Sequence, residues 1–263
     1  MPSNGSDHLI TVDGVSVSYS ASGGTVHAVE GVSLDVEGGD LLVLVGPSGC
    51  GKSTLLHAIA GFIRPTTGSV LENGRLIEGP GAHRGIVFQR PALYPWLTVR
   101  ENVEFGPRMR GVGRAERRRT AMHFLELVHL QDATHLYPYE LSGGMQQRVS
   151  IARALAGEPE ILLMDEPFGA LDALTRERLQ EELLQIWRET RKTIVFVTHS
   201  VEEAVFIGTR IAVMSKSPGR VVEEIELDFG RRSATSKVRE LKASNDFVAQ
   251  RERVLRLILG PSS

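Results

Sequence analysis

The string GPSGCGKST, Gly46 to Thr54, holds the densest cluster of chemically informative residues in the chain. Gly46, Gly51, Lys52 and Ser53 satisfy the G-x-x-x-x-G-K-[ST] spacing of a phosphate-binding loop. Glycines allow successive backbone N–H groups to converge on phosphate oxygens, and a helix opening just after them adds the positive end of its dipole. Lys52 is then placed to reach the outer phosphates. Ser53 offers a hydroxyl to Mg²⁺, which prefers oxygen ligands and keeps several waters. The plainer alternative is a glycine-rich turn that merely caps a helix. A second cluster follows the apolar run Ile161 to Met164, where Asp165 and Glu166 stand at the C-terminal end of a strand. That edge of an α/β sheet is where ligands bind. Asp165 suits the Mg²⁺ shell, and Glu166 suits orienting or deprotonating an attacking water. These two clusters imply nucleoside triphosphate hydrolysis or transfer and leave kinase, GTPase, helicase and recombinase open.

A third cluster, LSGGMQQR from Leu141 to Arg148, places Ser142, Gly143 and Gly144 just before a helix. This is a second helix N-terminus suited to anions, again with glycines that permit close backbone approach. The chain therefore carries two phosphate-binding surfaces.

Such groups need rigid elements behind them. Val15, Val17 and Tyr19 alternate with polar residues, as do Val32, Leu34 and Val36, and the stretches SASGG and EGGD bound them. This pattern predicts antiparallel strands. Leu41 to Val45 reads as a buried strand, Gly46 to Gly51 as a loop, and Lys52 to Phe62 as a helix. Turn residues at Thr66 to Gly68 and at Asn73–Gly74 predict a second hairpin, followed by a short strand from Gly85 to Phe88. From Gln89 to about Pro159 the pattern becomes helical, with breaks expected at Pro91, Pro95 and Pro107 and a basic helix near Arg114 to Arg119. Strands return at Ile161 to Met164, Thr193 to Val197 and Ile211 to Met214, with a helix from Leu174 to Glu189 between the first two. The expectation is an α/β fold: a P-loop NTPase core with a mainly parallel sheet, an N-terminal antiparallel β-subdomain and an inserted α-helical subdomain. The domain expected over 1–230 divides into core segments 1–88 and 160–230 around a helical subdomain at 89–159. Residues 231–263 are expected to form a polar linker and an amphipathic helix from Phe247 to Leu259.

Composition narrows the partners. Thirty Lys+Arg against 32 Asp+Glu leave a net charge of −2 over 263 residues, which argues against a broadly basic nucleic-acid surface. No nucleic-acid partner is expected. Charged residues at 24% and hydrophobic ones at 41% exclude a disordered chain. The N-terminal MPSNGSDHLI has neither the positive region nor the apolar stretch of a secretory signal. The purest apolar runs fall far short of the roughly 20 residues that span a bilayer, so any membrane role is expected to be peripheral. Cys50 is the only cysteine, and no internal disulfide can form. Beside Lys52 and a helix start, it reads either as a reactive thiolate or as a small residue filling the loop. Leu93, Tyr94, Trp96 and Leu97 lie among Pro91 and Pro95, a spacing that cannot hide them on one helical face, so some should be exposed.

At LSGGMQQR the sequence resembles the ATP-binding cassette family, and the resemblance covers nearly all of the chain. The family pattern is matched by Tyr19, by Gly46, Pro47, Ser48, Gly49, Cys50, Gly51, Lys52, Ser53 and Thr54, by Gln89 after GIVF, by LSGGMQQR, by ILLMDEP, by GALD with Asp172, and by VTHS with His199. The resemblance implies ATP and Mg²⁺, with Tyr19 stacking on adenine, His199 touching the γ-phosphate, Gln89 sensing metal and water, and Asp172 in the nucleotide-binding set. It also implies a head-to-tail homodimer in which each ATP lies between one protomer's loop and the partner's Ser142, Gly143 and Gly144. Transmembrane permease subunits are implied as direct partners, a periplasmic or extracellular substrate-binding protein as an indirect one, and the cytoplasmic face of the inner membrane as the location. Met145 stands where the commonest family form has Gln, and Ser200 where Asp often follows the histidine. The stretches IEGPGAHRGIVFQ, YPWLTVRENVEFG and SPGRVVEEIELDF look like importers of nitrate, aliphatic sulfonates and taurine, most of all the taurine branch. A soluble repair cassette would carry a long coiled-coil insertion and a ribosomal one two cassettes; the sequence shows neither. A catalytically dead cassette usually loses the glutamate or the histidine, and both are present.

Overall fold

Alternation near the N-terminus does give an antiparallel pair. In the computed structural model, which describes residues 8–21, 24–169, 171–235 and 237–259, β1 (His8–Ala21) pairs with β2 (Gly24–Glu37). Val15 lies opposite Val32 and Tyr19 opposite Val26. Val15 and Val17 of β1 and Val32, Leu34 and Val36 of β2 are buried with a period of 2, and Val12 is buried on the far side of a register shift that precedes Val15. Ser22 and Gly23 of the expected turn lie outside the described residues. Next comes β3 (Leu41–Val45), buried at every position, so its continuous apolar run is explained by packing on both faces. The following helix, α1 (Lys52–Ala60), stops short of the expected Phe62. Gly61 turns the chain at φ 80, and a Cβ there would come within 2.3 Å of the Gly79 carbonyl oxygen. Two short strands, β4 (Thr67–Glu72) and β5 (Arg75–Leu76), complete a four-stranded antiparallel sheet ordered β2-β1-β4-β5. Asn73 and Gly74 make its tight turn with φ of 49 and 73, both in the left-handed region that two-residue hairpins need.

The chain continues with β6 (Arg84–Val87), α2 (Val99–Met109), α3 (Arg114–Leu127), α4 (Gly143–Ala156), β7 (Ile161–Asp165) and α5 (Ala173–Thr190). Strands β6 and β7 run parallel, Arg84 beside Ile161 and Val87 beside Met164. Helices α2, α3 and α4 pack on one another. Pro107 does not break α2 as expected; it lies within the last turn. Gly106 explains the difference, since a proline disfavours the helical region for its predecessor largely through that residue's Cβ, and glycine has none.

Last come β8 (Thr193–Thr198), α6 (Val201–Ile207), β9 (Arg210–Met214), β10 (Val221–Glu226), α7 (Phe229–Arg232), α8 (Val238–Lys242) and α9 (Asn245–Leu259). Strand β3 lies between β8 and β9 and is parallel to both, while β10 closes antiparallel on β9. The segment from Arg231 to Lys242, expected as a polar linker, instead carries the end of α7 and all of α8. Phe229 and Leu241 hold it down by burial, and Phe229 meets Phe247 of α9 edge-on at 5.2 Å. The chain forms two compact units, one built from residues up to Gly81 together with those from Arg191 onward, the other from Ala82–Thr190. Among the described residues no helix is long and apolar enough to cross a membrane.

One buried polar side chain organises the loop ahead of α2. Asn102 is fully buried, accepts the Tyr94 N–H at 2.8 Å, and donates to the carbonyls of Tyr94, Leu97 and Thr98 at 3.2, 3.0 and 3.0 Å. Removing it strands these groups away from water. Asn102→Ala is expected to destabilise the protein by about 2 to 3 kcal/mol, the penalty for buried unsatisfied polar groups, and denaturant unfolding with unchanged m-value checks it; a loss under about 0.5 kcal/mol, the level of an ordinary surface substitution, contradicts it.

Candidate active site

Strand β3 delivers the chain into Gly46, where a Cβ would come within 2.6 Å of the Met214 carbonyl oxygen. Gly49 and Gly51 then adopt φ of 77 and 91, left-handed values that L side chains rarely take. Gly51 is the N-cap of α1 and supplies no capping side chain, and the first turn of α1 holds no acidic residue. Its N–H groups thus point toward the loop with the positive end of the helix dipole behind them. Lys52 is buried: its ammonium donates to the Gly46 and Pro47 carbonyls, both at 2.9 Å, and lies 3.7 Å from Cys50 Sγ. The lysine stem therefore folds back across the loop it follows. Pro47 O also accepts the Cys50 N–H at 3.3 Å, Ser48 is exposed, and Ser53 and Thr54 are half-buried. Cys50 itself is 1% exposed, so of its two readings the structure favours the residue that fills the loop over the reactive thiol.

Two further residues lie in the same unit. Tyr19 sits on β1 with 43% of its surface exposed. His199 is exposed in the turn after β8. That turn is fixed by Ser200, whose N–H donates to Thr198 Oγ1 at 3.0 Å and whose own Oγ accepts the Glu203 N–H at 3.3 Å.

The other unit holds Gln89, Ser142, Gly143, Gly144, Asp165, Glu166 and Asp172. Asp165 ends β7, and Glu166 follows at φ 43, left-handed for a residue that has a Cβ. The turn is closed by the Gly169 N–H donating to the Glu166 carbonyl at 3.1 Å. Gln89 Nε2 reaches Glu166 Oε2 at 3.5 Å, so this unit brings those two side chains together. Gly169 backs them: a Cβ there would lie 3.3 Å from Gln89 Nε2 and 3.5 Å from Glu166 Oε2. At α4, Ser142 is the N-cap and accepts the Met145 N–H at 3.3 Å; Gly143 opens the helix, and its first turn has no acidic residue. Arg148 pins α4 to α5 through Glu182 at 2.9 Å. Burial pushes the Glu182 carboxyl up and Arg148 works against it. Asp172 Oδ1 accepts the Thr175 N–H at 3.0 Å, which holds this carboxyl below its usual range. The stabilisation from that cap is present above the ordinary carboxylate pKa and fades as pH falls through the lowered value.

Residues 29–169 match the family model described as ABC transporter. The chain belongs to the ABC transporter family. It is 53% identical over 248 residues to the taurine import ATP-binding protein TauB of Rhizobium johnstonii, covering 94% of this chain and 95% of that one. The TauB protein of Roseobacter denitrificans is 51% identical over 237 residues, covering 90% and 88%. Among solved structures, the dimeric post-hydrolysis state of the ATP-binding cassette MJ0796, bound to ADP and Pi, superposes with a TM-score of 0.73 at 35% identity, covering 83% of this chain and 99% of that one. The cbiO1 protein from Clostridium perfringens, part of the ABC transporter complex cbiONQ, gives 0.76 at 25% identity, covering 94% and 100%.

The cassette's departures from its commonest family form can now be placed. At Met145 the backbone N–H, which any residue supplies, meets the Ser142 cap. At Ser200 the side chain caps α6, a task that serine and aspartate perform about equally. Sequence reasoning missed Asn102 and Arg153. The guanidinium of Arg153 donates to the Ala92 carbonyl at 2.6 Å and lies over the Tyr94 ring at 5.5 Å, and burial lowers its pKa. No sequence signal marks either, because a polar residue in a helix of mixed polar and apolar residues reads as surface until its partners are known. The capping role makes Ser200 testable: Ser200→Asp should leave stability unchanged, while Ser200→Ala should lose about 1 kcal/mol. Thermal unfolding of both variants decides it, and an alanine variant as stable as the aspartate one contradicts the capping role.

Proposed function

We propose that this protein is the ATP-hydrolysing subunit of an ABC importer for taurine or a closely related sulfonate. The observation that carries this reading is identity of about half the residues, along 94% of the chain, to a protein named for taurine import. The site geometry supports the ATPase part. Left-handed glycines lead into an uncapped helix with no acid in its first turn, and a carboxylate held at φ 43 stands beside a carboxamide. ATP is the substrate, bound in a homodimer with one protomer's Lys52 loop and the partner's Ser142, Gly143 and Gly144 on either side of it. Permease subunits hold the dimer at the cytoplasmic face of the membrane, where they relay its cycle to a substrate-binding protein on the other side.

The donor set fits Mg²⁺: the Ser53 hydroxyl, the Asp165 carboxylate and the Gln89 carboxamide all offer oxygen, as this ion demands. Among the described residues no group of three His, Cys, Asp or Glu could hold a metal ion, as befits an ion that takes most of its ligands from phosphate and water. An ion held by these groups would supply charge neutralisation on the phosphate oxygens. Lys52 releases its two carbonyl partners and turns its ammonium to the outer phosphates. Glu166 accepts the proton of the attacking water, while Gln89, already within reach of Oε2, orients that water. His199 donates to the γ-phosphate, Tyr19 stacks on adenine and Asp172 holds the start of α5.

Coupling to the permease falls to the loop before α2. Trp96 is 69% exposed, so it does not serve the core of its own unit. Beneath it Tyr94 is wedged between Trp96 at 5.6 Å and Phe105 at 4.5 Å, with Arg153 on its face. An exposed aromatic on so fixed a base is built to enter a partner's pocket.

Two variants test these assignments. Glu166→Gln should retain ATP binding and lose turnover by at least about a hundredfold, the scale of a lost general base, trapping an ATP-bound dimer; Lys52→Ala should lose binding itself. Hydrolysis near the wild-type rate in Glu166→Gln removes the glutamate from the mechanism. Trp96→Ala should keep basal hydrolysis and melting temperature but lose co-purification with the permease and taurine uptake. Normal assembly with a large fall in melting temperature assigns Trp96 to the core instead.

A further inference from the structure

The phosphate loop is braced from below by a segment that carries no nucleotide-binding motif. Between β9 and β10 the chain runs through Ser215, Lys216, Ser217, Pro218, Gly219 and Arg220. This turn is knitted to itself, with Ser215 N–H donating to Arg220 O at 2.9 Å and Arg220 N–H to Ser215 Oγ at 3.1 Å. It is also tied to the middle of β2. Gly219 donates to the Ala28 carbonyl at 3.0 Å and its carbonyl accepts the Glu30 N–H at 2.9 Å, a parallel bridge centred on Val29. Ser217 Oγ donates to the His27 carbonyl at 3.3 Å, and Arg220 pairs with Glu30 at 2.9 Å. The turn cannot slide along β2 without breaking all four ties.

Both partners of this brace press on the two residues just ahead of Lys52. A Cβ on Gly219 would stand 1.9 Å from the Cys50 carbonyl oxygen, and one on Gly51 would stand 2.4 Å from the Ala28 carbonyl oxygen and 2.8 Å from Val29 Cγ2. Gly51 needs glycine twice over, for its φ of 91 and for space. Gly219 is different. It does not lie in the left-handed region, so its backbone tolerates a side chain; what forbids one is the phosphate loop at 1.9 Å, the next nearest atom being the flexible Met214 Cε at 3.0 Å. From this we infer that Gly219 is a positioning residue for ATP binding: held by β2, the turn 215–220 sets where Cys50 and Gly51 lie, and so where the first N–H groups of α1 and the Lys52 stem point. The inference rests on the ATPase reading above and adds to it a residue outside every nucleotide-binding motif of the chain. Such support matters because a site that depends on several N–H groups aimed at one anion loses much of its value with displacements of about 1 Å.

Gly219→Ala tests this directly, since an added methyl must push either the loop or the brace, and the brace has four ties. Three readouts are taken well below the melting temperature: equilibrium binding of a fluorescent ATP analogue, KM and kcat for ATP, and the rate at which Ellman's reagent modifies Cys50, the single thiol. The substitution should weaken binding and raise KM at least tenfold with a smaller change in kcat, and should speed Cys50 modification at least tenfold, because the thiol buried in the loop becomes reachable. Arg220→Ala, which loosens the tie to Glu30 without adding bulk, should shift KM and the thiol rate the same way by a few-fold, and Arg220→Lys should recover most of the loss. If Gly219→Ala does not fold, the Arg220 pair of variants decides alone. Wild-type binding, KM and thiol rate in Gly219→Ala, or in Arg220→Ala should Gly219→Ala not fold, overturn the brace while leaving the ATPase reading intact. A wild-type protein that neither binds the analogue nor hydrolyses ATP overturns both.

Discussion

A triphosphate carries several negative charges close together, and holding it takes a concentration of donors that the rest of the fold leaves open or can release. Backbone N–H groups at a helix start are such donors, provided the helix is not already capped. The helices of this protein differ in this respect. At α2, Thr98 and Glu101 form a reciprocal capping box, and at α6 Ser200 caps a first turn that also holds Glu202 and Glu203. At α1 the N-cap is a glycine and no acid follows. Helix α4 is intermediate: Ser142 caps one N–H, but two glycines and no acid open the helix. Helices α2 and α6 thus meet their first N–H groups with their own side chains, whereas α1 wholly and α4 in part keep theirs open to an anion.

Keeping such donors in place demands stiffness around them. Strand β3 is buried along its whole length, which fixes where Gly46 begins the turn, and Leu55, Leu56 and Ile59 seat α1 in the core behind it. Glycine is needed at Gly46, Gly51 and Gly219 because backbone atoms stand within about 2.6 Å of where a Cβ would be. In the other unit a comparable constraint falls on Glu166, whose left-handed backbone is held by the Gly169 hydrogen bond in the same turn. At Glu166 this conformation falls on the candidate catalytic carboxylate itself, where geometry serves chemistry.

Much of this was legible in the sequence for identifiable reasons. The phosphate loop, the acidic pair after β7 and the start of α4 were readable because each couples fixed residue types to a change in hydrophobic period. Strand β3 was readable because a fully buried strand is apolar throughout. What stayed hidden depends on particular packing partners rather than on residue type or period. Gly61 ends α1 because Gly79 lies against it, Pro107 stays helical because Gly106 precedes it, and α8 forms in a polar stretch because Leu241 finds a buried seat. Asn102 and Gly219 belong with these: Asn102 gathers carbonyls of an irregular loop four to eight positions before it, and Gly219 lies against the Cys50 carbonyl 169 positions away, neither of which a pattern of residue types encodes.

The central claim is that the Lys52 loop and the Ser142–Gly144 helix start are two halves of one ATP site contributed by different protomers. Mixing two inactive variants tests it most directly. In a Lys52→Ala homodimer both loops are damaged, and in a Ser142→Arg homodimer both helix starts are; a mixed dimer has one site with both lesions and one with neither. ATPase activity of the two variants, separately and after mixing, is the measurement. Head-to-tail sites give hydrolysis in the mixture well above either variant alone; a mixture no more active than the average of its parents places both halves in a single protomer and contradicts the claim.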